Sequence, residues 1–77
     1  MNKAEFLKSK EFSDMVERIR GYKSGFEFSL PYYKMTDGQK NALHIVTSHC
    51  IKEKLITSMS FNLTLEGDIT EERFKRL

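Results

Sequence analysis

Ser58-Met59-Ser60-Phe61-Asn62-Leu63-Thr64-Leu65-Glu66 is the stretch on which the fold turns. Apolar Met59, Phe61, Leu63 and Leu65 alternate with polar neighbours, the period of a strand whose two faces meet different surroundings. A strand with one polar face suits an antiparallel sheet that is wet on one side, because parallel sheets are usually covered on both. The apolar face is expected to lie on helices, and Glu66-Gly67-Asp68 is expected to turn the chain.

Upstream, Thr36 followed by Gln39 reads as a capping box. The segment from Asp37 to about Ile56 has no proline and one glycine, Gly38, in its first turn, so it predicts the longest helix, with Lys52 and Lys54 at its negative end. Phe26, Phe28 and Leu30 alternate with polar residues and predict a short edge strand, stopped by Pro31. Asn2 and Glu5 form another capping box. Phe12, Met15, Val16, Ile19 and Tyr22 then recur at three and four, which predicts a helix near 3–20 ending at Gly21, with Ser9 able to cap a restart. Downstream, Thr70 as a cap, Ile69 and Phe74 as a staple, and Glu71, Glu72, Lys75 and Arg76 matching the dipole predict a last helix. The expected fold is α+β in the order α-β-α-β-α, with a small antiparallel sheet packed on helices.

The chain has 77 residues, enough for a single domain spanning 1–77. A domain so short buries roughly 60–65% of its unfolded surface, which favours a partner or a second copy that covers more. Six Phe and three Tyr exclude a disordered polyelectrolyte. The lone Cys50 excludes an internal disulfide, and there is no apolar run of signal or spanning length, so a reducing cytoplasm is the expected setting. The net charge of +2 is mildly basic. Between Arg18 and Lys54 the cations Arg20, Lys23, Lys34, Lys40 and Lys52 outnumber Glu27, Asp37 and Glu53, so the middle of the chain is its basic part.

On the long helix, Asn41, His44, Ser48 and Lys52 fall at spacings of three and four with Lys40 beside them, a stripe of donors without an acid. Asn and Lys bond base edges and Ser and His reach phosphate, so the stripe suits DNA; its ordinary alternative is a solvated helix face. Tyr32, Tyr33 and Lys34 follow the proline, and rings beside cations are what single-stranded nucleic acid stacks on. The alternative is that one tyrosine closes the core while its neighbour stays free. Leu43, Val46 and Cys50 mark the inner face of the same helix and leave Ile45 and Ile51 on its flanks, so an isoleucine, Ile51, is expected at a protein interface.

His49, Cys50 and Glu53 share a helical neighbourhood, but zinc needs further ligands that the sequence does not group with them. Cys50 stands mid-helix among Val46, Ile51 and Leu55, with nothing to lower its pKa. Gly21, Gly25, Gly38 and Gly67 make no phosphate loop. No catalytic residue, metal or cofactor is expected.

Two segments, Gly25-Phe26-Glu27-Phe28-Ser29-Leu30-Pro31-Tyr32-Tyr33-Lys34-Met35-Thr36 and Leu65-Glu66-Gly67-Asp68-Ile69-Thr70-Glu71-Glu72-Arg73-Phe74, resemble small proteins carried on mobile elements of Gram-positive bacteria. The chain is similar in particular to those encoded beside an A-family DNA polymerase in staphylococcal chromosome cassettes. The resemblance implies a replication accessory factor that binds single-stranded DNA, forms a complex with its polymerase and has a fold related to winged helices. The helix from Asp37 would then stand as recognition helix, with the strand from Ser58 in the wing. One long helix where that pattern has two short ones is a departure. The expected function is a non-enzymatic accessory protein binding DNA beside a larger replication protein. The competing expectation is a protein-only adaptor or inhibitor of a mobile element or phage, acting through its sheet edge.

Overall fold

Side-chain caps set the helix boundaries. The computed structural model describes residues 2–77, and the elements are α1 (Lys3–Leu7), α2 (Lys10–Arg20), β1 (Glu27–Leu30), a 3-10 turn (Tyr32–Lys34), α3 (Asp37–Lys52), β2 (Ile56–Leu63) and β3 (Ile69–Arg76). Asn2 accepts the Glu5 amide at 2.8 Å and starts α1. The Ser9 hydroxyl donates to the Phe6 carbonyl at 2.7 Å and accepts the Phe12 amide at 3.1 Å, so one side chain closes α1 and opens α2. The restart at Ser9 is thus realised, and residues 3–20 form two helices. The Thr36 and Gln39 capping box is complete, each side chain bonding the other's backbone N–H.

α3 ends at Lys52, earlier than the expected Ile56. Lys54 takes a left-handed φ of 61°, its N–H reaches the Ile51 carbonyl, and the Leu55 N–H reaches the Cys50 carbonyl at 2.8 Å. This is a Schellman closure with lysine where glycine is usual, and it turns Leu55 and Ile56 into the core.

The three strands form one antiparallel sheet in the order β1-β3-β2, so the architecture is α+β with three helices against a small antiparallel sheet. The turn expected at Glu66-Gly67-Asp68 is present, but it closes a β2–β3 hairpin in place of leading into a helix. The Gly67 N–H donates to the Thr64 carbonyl, and a φ of 91° there asks for glycine.

The order α-β-α-β-α is corrected at its last element, because Ile69–Arg76 is the central strand and not a helix. Thr70 caps nothing; its hydroxyl donates to the Asn62 carbonyl across the hairpin. Phe74 is 1% exposed, opposite Phe28 on β1 and Ser58 on β2, with the Phe28 ring stacked on it at 5.5 Å. An isolated helix of eight residues is marginal in water. As a strand the same residues pair on both edges and put an aromatic ring into the core.

The second correction concerns β2. Its apolar stripe does not lie on the helices. The ladder slips between Ser58 and Ser60, a bulge that takes up Met59, so the alternation changes phase there. Before the bulge the inward residues are Ile56, which is buried, and Ser58. After it Phe61 is paired with Glu72 on the helix side of the sheet, yet Phe61 and Leu63 are 56% and 53% exposed because that half of the hairpin carries no buried residue.

The core joins Phe6 of α1, Phe12, Val16 and Ile19 of α2, Val46 and Cys50 of α3, and Leu55, Ile56 and Phe74. Arg76 ties its rim: Nη1 donates to the Leu55 carbonyl at 3.1 Å and Nη2 to the Arg20 carbonyl at 3.2 Å, at the negative end of α2. Among the described residues no helix is long and apolar enough to cross a membrane.

Candidate nucleic-acid interface

The inner side of α3 is fixed by Val46, Thr47 and Cys50, all buried. That burial turns Asn41, His44, Ser48 and Lys52 outward, and all four are exposed along one stripe of the helix. Lys40, half-buried beside them, pairs with the exposed Asp37 at 3.3 Å.

Tyr32 does not belong to this surface. It is 1% exposed, its ring stacks on His44 at 4.7 Å, and its hydroxyl donates to Glu72 Oε1 at 3.3 Å. It offers no face to a base and acts instead as the support beneath the His44 ring. Tyr33 and Lys34 are exposed on the 3-10 turn, with the Lys34 ammonium 5.6 Å from the centre of the Tyr33 ring. The pair therefore divides, one tyrosine packing and the other free.

Burial pushes the Tyr32 phenol well above its ordinary range, and the Glu72 carboxylate beside it adds to the effect. The folded protein keeps this proton where the unfolded chain loses it, so the stabilisation is complete below about pH 10 and is lost above it. Between pH 10 and 12 stability is expected to fall more steeply for the native protein than for Tyr32→Phe, by up to about 1.4 kcal/mol per pH unit. Urea midpoints of the two proteins across that range check this; parallel slopes would assign alkaline unfolding to other groups. At neutral pH Tyr32→Phe costs only about 1 kcal/mol, since Glu72 Oε2 keeps the Ser58 hydroxyl at 2.8 Å.

Two grooves flank the stripe, and their charges differ. On one side a hollow lies between α1 and α3; its part toward the end of α3 is lined by Lys3, Leu7, His44, Ile45, Ser48, His49 and Lys52, without an acid, while the adjoining part toward the start of α3 adds Asn41 and one acid, Glu11. On the other side the hairpin turn approaches the start of α3, bringing Asp37 and Asp68 together with Lys40, Asn41 and His44. A polyanion is favoured in the first groove and repelled from the second.

Lys3 was absent from the sequence-derived set because its place depends on how α1 docks. The available signal was Phe6, an apolar residue ahead of the Ser9 cap, which is buried and pins α1 to the core.

Ile51 is exposed and Ile45 half-buried, so the exposed isoleucine is found where the face analysis expects it. The Cys50 thiol is fully buried, and burial pushes its pKa up, which leaves it protonated. His49 meets the Phe12 ring edge-on at 5.1 Å. The described residues contain no group of three metal-ligating side chains. The chain matches no family model, and no curated protein or solved structure is significantly similar to it.

Proposed function

We propose that the chain is a non-enzymatic accessory protein that binds DNA, chiefly single strands, along the groove between α1 and α3. In this reading it works beside a larger replication protein such as a DNA polymerase. The observation that carries the DNA reading is the acid-free end of that groove, with Lys3, His44, Ser48 and Lys52 on it, continued along α3 by the exposed Asn41. The order of elements adds support: a helix followed by a β-hairpin, in a sheet ordered β1-β3-β2, is compatible with a winged-helix plan whose second helix is reduced to the turn at Tyr32–Lys34. α3 then stands as the helix offered to nucleic acid and β2–β3 as the wing. Phosphate contacts position such a complex, and the free Tyr33 ring adds a stacking platform.

Fluorescence anisotropy with a labelled single-stranded oligonucleotide tests the reading. Affinity should fall steeply with salt, and Lys3→Glu with Lys52→Glu should reduce the log–log salt slope by roughly 1.4, two contacts at about 0.7 each. Tyr33→Ala should weaken binding by about 1–3 kcal/mol if a base stacks there. Binding indifferent to salt and to the lysine pair would remove the DNA reading.

A second reading, a protein-only adaptor, is favoured by the hairpin. Its tip carries Glu66 and Asp68, and Phe61, Leu63 and Leu65 are exposed next to them, a surface that repels nucleic acid and suits protein. Unchanged anisotropy, together with a partner retained from the native host after nuclease treatment, would support it.

A further inference from the structure

The two outer edges of the sheet are unequal. β1 has four residues and stops at Pro31, a short edge closed as natural edges usually are. β2 has eight, and residues 55–65 contain neither a charge nor a proline in a chain that is 31% charged. The side of β2 away from β3 meets no other strand among the described residues. Such an edge is a template for another strand on either side of the bulge at Met59, which twists it locally without adding charge.

The charges bounding this run decide what fits it. Lys52 and Lys54 precede it; Glu66 and Asp68 follow it. A second copy laid antiparallel along β2 brings the end that follows Lys52 and Lys54, net basic with Glu53 between them, toward the end that precedes its partner's Glu66 and Asp68, and the meeting occurs twice by symmetry. A parallel copy would set lysine beside lysine. Phe61, exposed on the helix side of the sheet, and the exposed Leu63 gain apolar neighbours from the other copy.

We propose that the chain forms a two-fold dimer by antiparallel pairing of β2 with β2 of a second copy, joining the two sheets into one. The inference does not depend on the DNA reading.

Sedimentation equilibrium from low to high micromolar concentration tests it. The mass should rise from the 9.1 kDa of one chain toward twice that value. Ser60→Glu places a like charge from each copy near the two-fold axis and should raise the dissociation constant at least about tenfold. Ser60 is exposed and opposite Arg73, which accepts a glutamate as its cross-strand neighbour, so circular dichroism should show the fold intact. Lys54→Glu should also weaken the dimer, and adding Glu66→Lys should restore it. A chain that stays monomeric at every concentration would overturn the proposal and leave the edge to a different protein. A dimer indifferent to both Ser60→Glu and the charge exchange would overturn it as well, by placing the contact elsewhere.

Discussion

Phe74→Ala is expected to lower the unfolding free energy by about 3–5 kcal/mol, the range for truncating a fully buried aromatic side chain. Phe74 stands in the central strand, 1% exposed, with the Phe28 ring stacked on it and Ile56 in the same core cluster. A domain of this size has little more than about 5 kcal/mol in total, so the variant should be largely unfolded without denaturant. Urea titration followed by circular dichroism reads the change directly. The size of the loss also separates two structures for residues 69–76. A ring in a staple at the start of a terminal helix would be worth about 1 kcal/mol, and a loss that small would return the segment to the helix that its local sequence suggests.

Arg76→Met should cost about 2–3 kcal/mol, through charge-assisted hydrogen bonds lost at one place. Its guanidinium bridges the Leu55 and Arg20 carbonyls, which belong to the closure after α3 and the end of α2, and also reaches the Leu77 carbonyl at 2.9 Å. Gly21, which follows Arg20, has a right-handed φ of −75°, so the usual left-handed glycine closure is not used and the arginine serves the end of α2. Arg76→Lys should recover less than half of the loss, because an ammonium cannot span separated carbonyls as a planar fork does. Denaturation midpoints for the three proteins measure this. A methionine variant as stable as the native protein would mean that water satisfies those carbonyls equally well.

Much of the fold was legible because the helix starts are written locally. Asn2, Ser9 and Thr36 each cap through their own side chains, and the buried faces of α2 and α3 follow helical spacing. The turn at Gly67 and the stop at Pro31 are local in the same sense. β3 was not legible, since Thr70, the two glutamates and the closing cations form a consistent helix signal, and the strand is decided by pairing with residues far away in sequence. The end of α3 was missed for a related reason: nothing in Lys52-Glu53-Lys54 announces a left-handed lysine, which is held there by the docking of Leu55 and Ile56.

The candidate interface divided in the same way. Asn41, His44, Ser48 and Lys52 were readable from helical spacing, because burial of Val46 and Cys50 settles which way they point. Tyr32 and Tyr33 are adjacent and chemically alike, and only the position of Glu72 on β3 and of His44 on α3 determines which ring is enclosed. The contribution of Lys3 depends on the packing of a five-residue helix that has its own cap.

The single extra residue at Met59 separates two properties of the hairpin that ordinarily vary together. Partners on β3 dictate which side chains face each way on both sides of the insertion, so shortening the chain by that one position would preserve those facings while removing the bend there and leaving the second slip, between Asn62 and Leu63, in place. The direction in which the arm reaches and the chemistry it displays are thus open to independent adjustment, one by length and the other by substitution.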